Sequence, residues 1–345
     1  MCPRFRFLCI GLLPYKVSAL IGAAQLALFA APLRAADIVC SEPVGFMKTN
    51  LPAAPAQNPL RRALGLPFSR PDVFVGSIAS VGENTLRCDP PVWSAGEFSS
   101  QPHFVKIRSG QGAGRMFLVK SNTADTLTLE NPGQSLNLEL GSGNVFGIFP
   151  AHTLLSVFGG GGSTAKLQSG STEQNADLVR LNSGSSWVSY YHDGNNWRTP
   201  GSAVSQDETI IRPDQGVFLI CKSSRNSKVI FGGAVSVQRQ LTAVPRSGEA
   251  LLPIRFPLAS TLNALQLHTQ TGWKTASAAS QADNVMLWNG TSWNIFYHTG
   301  SNWEQSGSFA NQNNATIPAG GAFLVRRFGS ADAGVLEAAA PFLYP

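Results

Sequence analysis

The chain has 345 residues, of which 43% are hydrophobic and only 13% charged, and glycine and proline together make up about 16% of it. That composition excludes long charged helices, coiled coils and charge-driven disorder, and it predicts an all-β chain of short strands and tight turns. The formal net charge of +6 owes most to the first 36 residues, where Arg4, Arg6, Lys16 and Arg34 face no acidic residue; the remainder sets 22 basic side chains against 20 acidic ones. Those that remain are scattered singly, which excludes the electrostatic footprint of a nucleic-acid partner.

In chain order, residues 1–36 read as a signal peptide: basic residues, an apolar run from Val17 to Ala31, then Pro32-Leu33-Arg34-Ala35-Ala36. The alternative is an uncleaved N-terminal anchor, for which the run is short. Cleavage near Ala35 or Ala36 sends the mature chain to the periplasm, the outer surface or the medium, with no transmembrane segment left after removal. Of the five cysteines, Cys40, Cys88 and Cys221 then remain. They allow one disulfide, Cys88 with Cys221 or Cys40 with Cys221, or else three separate buried thiols.

Residues 71–150 alternate as strands at Val73–Ile78, Phe104–Arg108, Arg115–Lys120, Thr126–Glu130 and Val145–Phe149, with turns between them. Five or six strands in this length suit a small barrel or sandwich. Beyond it, Ala176-Asp177-Leu178-Val179 through Trp187, Tyr191, His192, Gly194, Asn196 and Trp197 matches Ala282-Asp283-Asn284-Val285 through Trp293, Tyr297, His298, Gly300, Asn302 and Trp303 at a constant offset of 106. Further on, Phe218-Leu219 echoes Phe323-Leu324 at 105, and upstream Val44–Lys48 echoes Val235–Arg239 at 191. The expected organisation is a duplicated antiparallel meander, sandwich-like, with repeat copy one formed by 37–70 plus 151–233. An inserted β domain spans 71–150 and repeat copy two spans 234–345. The run Gly159–Lys166 reads as a linker, because its lysine lies outside phosphate-loop spacing and no helical period follows.

Pro43-Val-Gly-Phe-Met-Lys-Thr-Asn-Leu51, Gln101–Gly110 with Gly114–Thr123, Thr126-Leu-Thr-Leu129, Pro150-Ala-His-Thr-Leu154 and the Trp187–Trp197 stretch, together with the leader, carry a resemblance. On these motifs the chain resembles a paralogous family of uncharacterised exported proteins known from verrucomicrobial bacteria. The resemblance implies an exported β protein and no particular site residues.

No arrangement in the sequence names a reaction, a cofactor or a metal. His192 and His298 occur in duplicate with their surroundings, as do Asp177 and Asp283, which points to fold maintenance and away from a catalytic triad. Paired carboxylates distant in the chain leave a secreted hydrolase as an alternative. Tryptophan is the more telling residue: six of the seven fall in the repeats. Trp187 and Trp293 read as core anchors of the meander. Trp197 beside Asn196, and Trp303 beside Asn302, fit either a core anchor or a loop platform on which a sugar ring stacks while the amides bond its hydroxyls. The sequence thus predicts a non-enzymatic envelope or extracellular protein, structural or adhesive. Its partners would be polysaccharide or other envelope components, with a glycan-binding module using the loop tryptophans as the alternative.

Overall fold

The computed structural model describes residues 43–130, 135–160, 167–183, 186–329 and 334–339. The leader, Cys40 and most of the glycine-rich linker, 161–166, lie outside the described residues. Before the inserted segment the chain forms β1 (Val44–Leu51) and β2 (Leu60–Leu64). Within it lie β3 (Phe74–Ser77), β4 (Ser80–Val81), β5 (Thr85–Arg87), β6 (His103–Ile107), β7 (Met116–Asn122), β8 (Thr126–Leu129) and β9 (Val145–Pro150). Then come β10 (His152–Thr153), the one-turn helix α1 (Leu154–Phe158), β11 (Leu178–Ser183), β12 (Ser186–His192), β13 (Trp197–Arg198), β14 (Ile210–Ile211), β15 (Val217–Cys221) and β16 (Ser227–Ala234). The last third holds β17 (Gln240–Val244), β18 (Gly248–Pro253), β19 (Ser260–Thr261), β20 (Asn284–Trp288), β21 (Trp293–His298), β22 (Trp303–Gln305), β23 (Thr316–Ile317), β24 (Ala322–Arg327) and β25 (Gly334–Ala338).

The all-β, antiparallel architecture expected from composition is the one observed. Strand order shows the internal symmetry directly. One five-stranded sheet runs β13-β12-β11-β15-β2 and the other β22-β21-β20-β24-β18. Two-stranded ribbons repeat as well, β1 with β16 and β17 with β25, and β10 with β14 and β19 with β23. The seven-stranded sheet, β3-β9-β6-β7-β8-β5-β4, draws all its strands from the segment between β2 and β10. Its two edges are the halves of one bent stretch, β3 against β9 and β4 against β5, and among the described residues no ladder closes it into a barrel.

Ladder registers correct two of the sequence correspondences. Val179 pairs with Leu219 and Val285 with Val325, so the 106 offset continues through β15 and β24, and Phe218 corresponds to Leu324. The apparent 105 offset came from matching Phe-Leu pairs one residue out of step, which would turn each side chain to the wrong face. Likewise β1 has its counterpart in β17, whereas Val235–Arg239 leads out of β16. Leu64 opposite Val217 and Leu252 opposite Phe323 set an offset of 188 before the seven-stranded sheet. His152 opposite Ile211 and Ser260 opposite Ile317 set 108 after it. The difference is 80 residues of additional chain between β2 and β10.

Both faces of each five-stranded sheet are buried. In copy one Val179, Leu181, Val217 and Leu219 point into a core closed by α1 and by Leu51, Val229 and Phe231 of the β1–β16 ribbon. In copy two Val285, Phe296, Phe323 and Val325 do the same beneath Val244 and Leu336 of the β17–β25 ribbon. The alternate residues, Phe218, Leu251, Met286 and Leu324, form a separate cluster joined by Trp187, Trp288 and Trp293. It contains side chains from both sheets, so the copies pack face to face, as strands apolar on both faces require. Backbone bonds stitch the same contact: Gly65 N–H donates to the Gly320 carbonyl at 2.8 Å and Gly216 N–H to the Leu251 carbonyl at 2.7 Å. The seven-stranded sheet keeps its own core around Ile78, Leu86, Ile107, Leu127, Phe146 and Ile148.

Candidate functional site

The residues singled out by their duplication build turns. After β12 the Asp193 carboxylate accepts from Asn195 N–H at 2.7 Å and Asn196 N–H at 2.8 Å, while Gly194 takes φ 109°, a left-handed value that glycine tolerates without strain. After β21 the Thr299 hydroxyl accepts from Asn302 N–H at 3.3 Å and Gly300 takes φ 104°. In both copies the histidine ring closes the turn, with Gly194 N–H donating to His192 Nδ1 and Gly300 N–H to His298 Nδ1, each at 3.1 Å. Burial lowers the pKa of both rings, and for His298 the neighbouring His268, stacked on it at 4.1 Å, lowers it further.

Asp177 and Asp283 are buried staples between loops. Asp177 accepts from Gln168 N–H at 2.8 Å and Lys222 N–H at 2.6 Å; Asp283 accepts from Lys274 N–H at 3.0 Å and Phe328 N–H at 2.9 Å. Copy two adds Arg327, whose Nε lies 3.0 Å from Asp283 with both side chains sealed from solvent. The corresponding residue of copy one is Cys221. Burial raises the Asp177 pKa and pushes the Cys221 thiol up to about 12, the Asp177 charge adding to the latter. Cys88 and Cys221 are each free and buried, which overturns a bridge between them.

The loop-platform reading of Trp197 and Trp303 is overturned by burial. Their exposures are 1% and 0%, so neither indole face is open to a sugar ring. The backbone N–H of Trp197 donates to the Asp207 carboxylate at 2.7 Å and that of Trp303 to Asn313 Oδ1 at 2.9 Å, and each indole packs edge-on against the histidine of its turn. Asn196 and Asn302 are half-buried, and both give their backbone N–H to the turn residue three before them. The four residues belong to two equivalent structural corners and do not converge on one surface.

Trp187 and Trp293, expected as core anchors, are half-buried, together with Trp288, and all three pack against the cluster between the copies. Trp187 and Trp293 begin β12 and β21 on the faces that look across to the other copy. Trp288 meets Phe218 edge-on at 5.1 Å and Trp293 lies 5.7 Å from the same ring, so aromatic contacts span the two sheets. Beside this cluster opens a cleft of about 240 Å3, lined by Arg180, Trp187, Phe218, Met286, Trp293 and Arg326. Glu249 on β18 holds Arg326 through Nε and Nη2, both at 2.7 Å from one carboxylate oxygen. The guanidinium of Arg180 lies 5.4 Å from the centre of the Trp187 ring. No carboxylate or hydrogen-bond acceptor reaches it among the described residues, its Nε is buried without a partner, and burial lowers its pKa. Copy two has Met286 where copy one has Arg180, and copy one has Ile220 where copy two has Arg326, so a nearly symmetric cleft carries an asymmetric charge.

The signal for this site was present in the sequence as strands apolar at consecutive positions, Val217-Phe218-Leu219-Ile220 and Val285-Met286-Leu287-Trp288, which implies a second buried face. Among the described residues no group of three or more His, Cys, Asp or Glu side chains is placed to hold a metal ion. Among them, too, no helix is long and apolar enough to cross a membrane. No protein-family model matches the chain, and no curated protein or solved structure is significantly similar to it.

Proposed function

We propose that the chain is an exported, non-enzymatic protein of the cell envelope or extracellular space with a structural or adhesive role, and that it adheres through the cleft between its two copies. The observation that carries this reading is the division of labour among the duplicated residues. The polar ones, Asp177, Asp283, His192 and His298, are occupied with turns and loops, while the tryptophans at the inter-copy face remain partly open beside a cleft. Half-buried indoles with a few charged groups at the rim suit recognition of a ring with one apolar face, the chemistry of polysaccharide binding. The leader and the resemblance to an exported family support the location.

Two measurements test the reading. Fractionation of the source cells should recover the protein in the envelope or the medium, and recovery in the cytoplasm alone would overturn export. Retention on immobilised envelope polysaccharide should fall at least about fivefold in Trp187→Leu with the melting temperature within a few degrees of wild type. Retention unchanged in that variant would remove the cleft from the account.

A further inference from the structure

We propose that the cleft between the copies takes a carboxylate-bearing ring, of the kind a hexuronic acid presents, with the carboxylate on Arg180 and the apolar ring face against the tryptophans; this rests on the cleft being the recognition site. Three features of the cleft select that chemistry.

The first is charge. Arg180, Arg326 and Glu249 line the cleft, and Glu249 is committed to Arg326, which leaves one positive charge uncompensated. Arg180 is half-buried, and its Nε has lost water without gaining an acceptor; a polar group in that state is costly, and an anion seated on the guanidinium offsets the cost. The second is geometry. A guanidinium laid over an indole is held in one plane, and its edge is the part that donates two parallel N–H bonds to a carboxylate. Arg180 sits mid-strand on β11, opposite Ser189 on one side and Phe218 on the other, so its backbone is fixed by two ladders. The third is size. About 240 Å3 lies below the roughly 300–1,000 Å3 of pockets for drug-sized ligands, which fits one ring rather than a length of chain. The asymmetry between the copies reinforces all three: an exact duplicate would place a second arginine at Met286, and the cleft would then favour a dianion or repel its own lining.

The shared chemistry, a carboxylate on a ring with an apolar face, has two sources: a hexuronic acid unit of an acidic polysaccharide, or a free aromatic acid. Calorimetric titration of the whole mature protein distinguishes them, using digalacturonate against neutral digalactose, and benzoate against benzamide. At least one acid should bind about tenfold more tightly than its neutral counterpart, and the acid that does so names the source. Arg180→Gln should bring that ratio below about twofold, and Arg180→Lys, which keeps the charge and loses the planar fork, should leave an intermediate ratio. Both variants are checked for an unchanged thermal melt, and since no acceptor among the described residues holds Arg180, they are expected to fold. Equal binding of acid and neutral ligand, binding of none of the four, or a ratio that survives Arg180→Gln would overturn the proposal. If any of these is seen while Trp187→Leu still loses polysaccharide retention, the cleft stands as the adhesive site and only its acid selectivity falls.

Discussion

The Asp283 carboxylate shows why the duplicated polar residues count for stability. It joins Lys274 to Phe328 by backbone bonds and meets Arg327 in a pair that no water reaches, while the Arg327 ring-face contact with Trp273 holds the guanidinium in place. Asp283→Ala would leave that cation buried alone, and chemical denaturation should register a loss of about 3–5 kcal/mol. Asp177 makes equivalent backbone bonds without an arginine, so Asp177→Ala should cost less. The histidines give a pH dependence of definite sign. Burial lowers the folded-state pKa of His103, His192, His268 and His298. Each therefore contributes stability that is complete above the unfolded value of about 6.5 and is lost as pH falls through it toward the folded value. Asp177, raised by burial, acts in the opposite sense. The denaturation midpoint should drop between about pH 7.5 and about pH 5, and His268→Gln, which removes one ring of the stacked pair, should flatten part of that drop. An unchanged midpoint would contradict the assignment of these rings as neutral and buried.

At the scale of elements, the meander of each copy is defined by its turn after the tyrosine-histidine pair. Gly194 and Gly300 adopt φ values of 109° and 104°, and no neighbouring atom blocks a Cβ at either. Gly194→Ala and Gly300→Ala therefore isolate backbone strain from crowding, and each should destabilise by about 1–2 kcal/mol in denaturant titrations. Matching losses in the two variants would mark the turns as equivalent. Much at this scale was legible: the match from Ala176 through Trp197 to Ala282 through Trp303, at a constant offset of 106, marked an antiparallel meander in each copy. What misled was the reading of exposure. Trp197 and Trp303 sit beside glycine and asparagine, the composition of a loop surface, yet Asp207 and Asn313 fold a second loop back over them. Trp187 and Trp293, at the starts of β12 and β21, face a partner sheet that only long-range packing supplies. Local sequence records a residue's strand and face, and it does not record what covers that face.

Over the whole molecule, duplication and insertion have different physical consequences. Copy two runs from β18 to β19 through a short connection, whereas copy one spans the same gap with the seven-stranded sheet and its separate core. The extra sheet touches the rest at Phe104 and Phe149 against Ile210 and through Arg239, which donates to the Gln111 and Ala113 carbonyls. The repeat is legible because Trp187, Tyr191, His192, Gly194, Asn196 and Trp197 recur as Trp293, Tyr297, His298, Gly300, Asn302 and Trp303, but the strands after the turns are not, because there Phe218 and Leu324 share a position and not an identity. The face-to-face pairing of the copies depends on that register, and the cleft depends on the pairing. A double-mutant cycle between Phe218 and Trp288, one ring from each copy 5.1 Å apart and perpendicular, tests it most directly. With Phe218→Leu and Trp288→Leu alone and together, a coupling of about 0.5–1.5 kcal/mol between the two substitutions is expected in urea denaturation. Strictly additive losses would mean that the two copies do not share a core, and the cleft between them would go with it.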